Sequence, residues 1–201
     1  MTWPRNIFKR QGNRHTNISI EAVSAQENHG CGVLGMDRYY KRTYRNPREF
    51  LSDINFIIKK SGRIRDLMRQ KTLSGAFRER LMLAVISVYG CRYCSWAHSK
   101  EALKNGVNQT EIVQLLQGIV DGCPAEEAVA VLYAQHWADS DTKPDPEAAS
   151  RLVKTYGLEK AEAINLALRM IRVGNLSGNT WDAILAKVSF GVLGNSGRKT
   201  T

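Results

Sequence analysis

The 201-residue chain lacks an apolar run long enough to cross a membrane. Its longest apolar stretch, residues 81–88, is interrupted by Ser87, whereas a membrane-spanning helix needs about 20 apolar residues. The first 20 residues carry positive charge but no apolar segment of the kind found in secretory signals. We therefore expect a cytoplasmic protein with no membrane partner.

Cysteine is also scarce. The four cysteines, at positions 31, 91, 94 and 123, are too few for a disulfide-rich secreted scaffold of this length. A chain of this size buries roughly 70% of the surface exposed in its unfolded form, so it needs no disulfide or metal to hold a core. In the cytosol a close cysteine pair is more often redox-active or metal-binding than structural. Cys31 and Cys123, which stand apart from that pair, are expected to be incidental thiols.

Acidic residues are few in the first third of the chain. Residues 1–70 hold 14 basic and 6 acidic side chains, whereas residues 71–201 hold 15 and 13, and the whole chain carries a net charge of +10. Residues 38–45, RYYKRTYR, interleave aromatic and basic side chains as single-stranded nucleic-acid binders do. No nucleic-acid-binding fold motif accompanies them. We expect this segment to meet a neighbouring subunit or an acidic protein rather than nucleic acid.

Alternating strand patterns bounded by hairpin signals are absent, and apolar residues recur at helical spacing from Pro47 onward. The sequence predicts an all-α helical bundle of about seven or eight helices. An irregular basic N-terminal extension over residues 1–46 precedes a single all-α domain over residues 47–201. The expected helices cover residues 47–61, 75–89, 91–105, 110–121, 124–138, 147–156, 159–173 and 180–192, with a basic segment at 63–70 and a loop at 139–146.

The residues that indicate chemistry lie in one segment. Cys91 and Cys94 are three residues apart and His98 follows four residues later, so on a helix the three side chains share one face. Gly90 suggests that this helix begins at the cysteines, which places them at the positive end of its dipole. Glu79 precedes Cys91 by 12 residues on another helix, and a bend at Gly90 would fold it back over the pair.

The free-energy cost of lowering a thiol pKa indicates why a cysteine would need these neighbours. Moving a thiol pKa from about 8.5 to about 6 costs roughly 3.4 kcal/mol. A helix dipole supplies only about 0.3–1 kcal/mol at an exposed site and about 2 kcal/mol in a partly buried one. A base such as His98, oriented by Glu79, would supply the rest, as in a nucleophile, base and orienter triad.

Two other interpretations of the cysteine pair stay open. A zinc ion could take Cys91, Cys94 and His98 as ligands, but the chain shows no second cysteine or histidine pair to complete a structural site. The two thiols could also be inert packing residues. We favour redox chemistry and expect neither a metal nor an organic cofactor.

The pattern E-x11-C-x2-C-x3-H in an all-α chain resembles the alkyl hydroperoxidase D-like branch of the carboxymuconolactone decarboxylase superfamily. The resemblance covers residues 77–116 and, more weakly, the later stretch RMIRVGNLSGNTWD. It implies that Cys94 attacks a peroxide, that Cys91 resolves the product as a disulfide, and that Glu79 and His98 form a proton relay. Some members carry a histidine immediately before the second cysteine, where this chain has Tyr93. A tyrosine hydroxyl hydrogen-bonds but is too weak a base at neutral pH.

The function that this resemblance implies is a peroxidase-type oxidoreductase that reduces a small hydroperoxide or acts on disulfides in antioxidant defence. Its reductant would be a dithiol or lipoyl-type protein, and the assembly a homo-oligomer, a trimer or hexamer. Tyr93 and Trp96 are candidate pocket residues. One alternative is a lyase of the decarboxylase type that acts on a small carboxylated or lactone substrate. Another is a redox sensor or binding module that uses the basic N-terminal extension.

Overall fold

The structure is a computed structural model that describes residues 41–190 and Leu193. In this part of the chain there are seven helices and no strands. The prediction of an all-α bundle is therefore confirmed. The helices are α1 (Pro47–Lys59), α2 (Ser61–Met68), α3 (Gly75–Tyr89), α4 (Arg92–Lys104), α5 (Gln109–Leu116), α6 (Ala125–Asp139) and α7 (Pro146–Val188).

Most of the predicted N-terminal extension, residues 1–40, lies outside the described residues, and so does Cys31. The described end of that segment contacts the bundle. Arg42 donates hydrogen bonds to the carbonyl oxygens of Ala138 and Asp139 at the end of α6. Among the described residues, no helix is long and apolar enough to cross a membrane.

Helix α3 is the centre of the bundle. It packs against α4, α5, α6 and α7, and twelve of its fifteen residues are buried. Ser74 caps its start by accepting a hydrogen bond from the backbone N–H of Phe77 at 3.1 Å. Gly90 ends it in a left-handed conformation with φ +68°, which glycine adopts without steric cost. This tight end turns the chain directly into α4.

Three predicted boundaries are wrong. The basic segment after residue 62 is helical and forms most of α2. Helix α5 ends at Leu116 instead of continuing to Gly122, because Gly118 takes a left-handed φ of +81°. Between Pro146 and Val188 the helical path has one interruption, not two.

That single interruption is at Gly157, whose φ of +76° and ψ of 164° break the helical path inside α7. No second break occurs near residues 174–179, although two glycines and two asparagines lie there. Both asparagines are buried: Asn175 donates to the carbonyl of Ile171, and Asn179 donates to the carbonyl of Tyr89. These bonds hold the segment in the bundle as helix, and they place its glycines against α4.

Candidate active site

The two cysteines lie at the junction of α3 and α4. Cys91 is the residue immediately before α4, with extended backbone angles, and its sulfur accepts a hydrogen bond from the backbone N–H of Cys94 at 3.4 Å. The prediction that the pair stands at the start of a helix is confirmed. Cys91 itself caps the helix and does not belong to its first turn, so its sulfur points back at the free backbone N–H groups.

Both cysteines are free thiols, but their surroundings differ. Cys91 is completely buried, whereas Cys94 is partly exposed. A hydrogen bond from the Cys94 thiol, together with the backbone N–H groups of Cys94 and Tyr93, lowers the pKa of Cys91 to about 7 against the opposing effect of burial. The same hydrogen bond and burial raise the pKa of Cys94. The start of α4 and the neighbouring thiol therefore favour a thiolate on Cys91.

The predicted partners of the thiols also meet. His98 lies one helical turn after Cys94 on α4, and its Nδ1 is 2.7 Å from Oε2 of Glu79 on α3. Because a carboxylate only accepts hydrogen bonds, Nδ1 carries the proton and Nε2 remains available as a base. The bend at Gly90 thus does what the sequence predicts and folds Glu79 back towards α4.

Glu79 is held by a further residue that the sequence analysis did not single out. Its side chain is only 2% exposed. Its Oε1 accepts a hydrogen bond from Nε of Arg78 at 3.0 Å and forms an ion pair with Nη2 of the same arginine at 2.9 Å. Arg78 therefore fixes the position of the carboxylate that orients His98.

Two glycines of α7 face the thiols. A Cβ atom added to Gly178 would lie 2.8 Å from Sγ of Cys91, and one added to Gly174 would lie 3.7 Å from Sγ of Cys94. Real Cβ atoms essentially never approach as closely as the first of these distances. The missing side chain at Gly178 thus provides the space that the Cys91 sulfur occupies.

Asp182 stands one turn after Gly178 on the same helix and is 3% exposed. Its carboxylate accepts hydrogen bonds from Tyr93 Oη at 2.7 Å, Arg92 Nη2 at 2.9 Å and Lys41 Nζ at 3.4 Å. Tyr93, a predicted pocket residue, is therefore anchored by its hydroxyl, although its side chain is 41% exposed overall.

Trp96, the other predicted pocket residue, is 58% exposed on α4. The ammonium group of Lys100 lies 4.0 Å from the centre of its ring, a cation–π arrangement. Trp181, on α7, is similarly exposed, whereas Trp137 is buried in the core. The exposed rings stand on the two helices that hold the thiol pair.

A separate cavity of about 800 Å³ lies between α1, α2, α6 and α7. Its lining includes Tyr133 and Trp137 together with charged residues of both signs, and it contains none of Glu79, Cys91, Cys94 and His98. Within residues 41–190, no group of three or more His, Cys, Asp or Glu side chains is arranged to hold a metal ion.

The fold and the site together define an all-α protein with a thiol pair beside a histidine–glutamate pair. The model of the carboxymuconolactone decarboxylase family matches residues 63–136, a range that includes all four of these side chains. Residues 63–136 thus match this family, and the resemblance drawn from the sequence is confirmed at that level. Searches of curated proteins and of solved structures returned no match.

Three residues that shape the site escaped the sequence analysis: Arg78, Gly178 and Asp182. A signal existed for two of them, because Gly178 and Asp182 lie in the stretch that weakly resembles the superfamily's last core helices. Their spacing from Gly174, four and eight residues, puts all three on one helical face. Only the packing of α7 against α4 shows that this face meets the cysteines.

Proposed function

We propose that the protein is a thiol-dependent hydroperoxide reductase that uses Cys91 and Cys94 as a redox pair. The observation that supports this most directly is the placement of the two thiols at the start of α4, beside a histidine that a buried carboxylate orients. A thiolate is the species that attacks peroxides, and the proposal places it on Cys94 once a base has taken the proton of that thiol. A second thiol within reach turns the oxidised product into a disulfide.

In the proposed reaction the partly exposed Cys94 is the attacking sulfur, because Cys91 is fully buried. The Cys94 thiolate attacks one oxygen of the hydroperoxide, the O–O bond breaks, and the alkoxide leaves as an alcohol after taking a proton. Cys94 becomes a sulfenic acid. The Cys91 thiolate then attacks the Cys94 sulfur and releases water, so that two thiols and one hydroperoxide give a disulfide, an alcohol and water.

Two protons must be moved during this cycle. Before the attack, the proton on Cys94 passes to Nε2 of His98, and Cys91 stays a thiolate; the hydroxide that later leaves Cys94 takes the second proton from water. His98 then donates to the leaving alkoxide, and the charge of Glu79 stabilises the imidazolium that forms in between. The geometry suits this role because Nδ1 of His98 is already occupied by the Glu79 carboxylate.

Mass mapping after one equivalent of hydroperoxide tests the proposal. We expect an intramolecular disulfide between Cys91 and Cys94 in the wild-type protein. In the Cys91→Ser variant, Cys94 should stop at sulfenic acid or a higher oxide. Cys123→Ser is the matched control: the pKa of Cys123 is raised to about 12, mainly by burial, so its loss should leave the reaction unchanged. Two free thiols after peroxide treatment would contradict the proposal.

A dithiol reductant must restore the pair, since the cycle ends in a disulfide. We propose a small or lipoyl-type dithiol protein in the cytoplasm for this step. We also propose a homo-oligomer, a trimer or hexamer, in which Trp96 and Trp181 lie near the contact. Light scattering of the wild type and of Trp181→Asp would test this, because a buried charge at an interface should lower the oligomer mass.

A lyase of the decarboxylase type is the second candidate, and one observation favours it. The Glu79–His98 pair is complete without either thiol, and it would serve equally in proton transfer to a small carboxylated or lactone substrate. A Cys91→Ser and Cys94→Ser double variant discriminates the two. Lyase turnover that survives this change but is lost in His98→Gln would replace the redox proposal.

A further inference from the structure

The carboxylate of Asp182 connects α7 to the first turn of α4. Three donors from two segments converge on it: Tyr93 and Arg92 from α4, and Lys41 from the chain before α1. Gly178, one turn earlier on α7, seats the Cys91 sulfur. One face of α7 therefore both makes room for the thiol pair and places a buried negative charge beside it.

We propose that Asp182 is a positioning residue that sets the reduction potential of the Cys91–Cys94 pair through its buried charge, which Tyr93 and Arg92 hold beside the first turn of α4. This rests on the proposed function only in requiring that the two cysteines form a disulfide. The residue has no contact with a reacting atom in this account. A change in potential that is the same at every pH in Asp182→Asn would overturn the role of this charge.

The sign of the effect follows from charge. A negative group near Cys91 disfavours its thiolate, and the Asp182 carboxylate accordingly opposes the lowering of the Cys91 pKa. A less stable thiolate means a less stable reduced form, so Asp182 keeps the disulfide harder to reduce. Arg92 acts in the opposite sense, because its guanidinium offsets the Asp182 charge at 2.9 Å.

The charged and titratable groups that face Asp182 or Cys91 come from three parts of the chain. Lys41 precedes α1, Arg92 and Tyr93 belong to the first turn of α4 together with Cys94, and Asp182 itself belongs to α7. The titration that the test uses is that of the thiol pair, since the pKa of Cys91 is lowered to about 7.

The test measures the equilibrium of the full-length protein with a dithiol buffer. Reduction consumes one dithiol and one protein disulfide and yields one dithiol disulfide and two protein thiols. In Asp182→Asn we expect the equilibrium constant for reduction to rise about five- to tenfold between about pH 7 and pH 8, because a nearby charge shifts a pKa by about one unit. Tenfold corresponds to about 30 mV.

The pH dependence distinguishes charge from simple loosening. Near pH 5 both proteins hold two protonated thiols, so the difference should fall below about twofold, whereas a purely structural effect would persist at every pH. Arg92→Gln, whose side chain is partly exposed, should shift the constant in the opposite direction by about two- to fivefold near pH 8. Glu162→Gln, an exposed carboxylate elsewhere on α7, is the matched control and should change nothing.

Each outcome bears on one proposal. A wild-type protein that forms no Cys91–Cys94 disulfide overturns the proposed function. A normal disulfide whose potential is the same in Asp182→Asn, or whose shift has the same sign in Asp182→Asn and Arg92→Gln, overturns the role of Asp182 alone. If Asp182→Asn does not fold, Arg92→Gln decides: a constant equal to that of the wild type at about pH 8 rejects the proposal.

Discussion

Two buried ion-pair clusters begin two residues apart on α3, at Arg78 and Arg80, and they differ in the last residue of each cluster. In the closed cluster, Arg80 donates to Glu111 from two nitrogens, at 2.5 and 3.2 Å, and to Glu127 at 3.1 Å. In the open cluster, Arg78 donates to Glu79, and Glu79 holds His98. Both clusters place an arginine against a carboxylate inside a helical core.

The difference lies in the last member of each cluster. The side chains of the closed cluster are between 5% and 15% exposed, and both of its carboxylates bond to the arginine. The open cluster ends on a histidine that is 26% exposed and stands one turn from Cys94. The closed cluster thus stays inside the core, whereas the open cluster uses one carboxylate oxygen to hold a partly exposed histidine close to the thiols.

The largest expected effect is on stability and concerns the closed cluster. Arg80→Met should leave Glu111 and Glu127 buried without a cation, and removal of one partner of a buried ion pair costs about 3–5 kcal/mol. Urea denaturation measures this loss. The reaction of the folded variant with peroxide should match that of the wild type. A variant as stable as the wild type would show that the closed cluster does not stabilise the core. A variant with an altered peroxide rate would show that the two clusters are not separate.

The next effect is on chemistry and concerns the open cluster. His98→Gln removes the proton carrier but leaves Arg78 paired with Glu79, so the free energy of unfolding should change by only about 1 kcal/mol. The rate of disulfide formation with hydroperoxide should fall by about 10²-fold, the lower end of the usual contribution of a general acid or base. Stopped-flow fluorescence of the tryptophans would follow the reaction. An unchanged rate would remove His98 from the mechanism.

Gly178 and Gly174 allow a matched test of the space beside the thiols. In Gly178→Ala the new Cβ would meet the Cys91 sulfur at 2.8 Å, and such overpacking typically costs about 1–3 kcal/mol. In Gly174→Ala the contact with Cys94 is an ordinary 3.7 Å, so the better helix propensity of alanine should stabilise the protein by about 0.5–1 kcal/mol. Thermal unfolding of the reduced proteins measures both. Equal effects of the two substitutions on thermal stability would mean that the space between Gly178 and the Cys91 sulfur can accept a methyl group.

The sequence predicts more of one half of the site than of the other. Helix period, Gly90 and the spacing of Glu79, Cys91 and His98 are local signals, and they suffice to bring the open cluster to the cysteines. The α7 side depends on packing across about 90 residues. Glycines and asparagines at 174–179 suggest a break on propensity alone, and the buried bonds of Asn179 that keep this segment helical are visible only in three dimensions.

Arg78 and Arg80 also show what the sequence cannot predict, here for two residues that lie close together in the chain. Charged residues in a helix are normally solvated, so neighbouring arginines in an apolar segment give no sign of which carboxylate each one meets. Arg78 pairs with the adjacent Glu79, while Arg80 reaches Glu111 on α5 and Glu127 on α6. The distinction between the open and the closed cluster therefore arises from the arrangement of helices around α3.

The smallest effect is on the pH dependence of the free energy of unfolding, and it comes from the Cys91 thiol. The folded protein lowers the pKa of Cys91 from 9.0 to about 7, so the stabilisation is fully present above about pH 9 and is lost as the pH falls through 7. Between about pH 7 and pH 8 the reduced wild type should gain about 1 kcal/mol relative to Cys91→Ser. Cys94 adds no slope in this window, because its pKa is raised and it stays protonated in both the folded and the unfolded chain. Urea titrations under a dithiol reductant would measure the difference. If the free energy of unfolding changed equally with pH in the two proteins, the pKa of Cys91 would not be lowered in the folded protein.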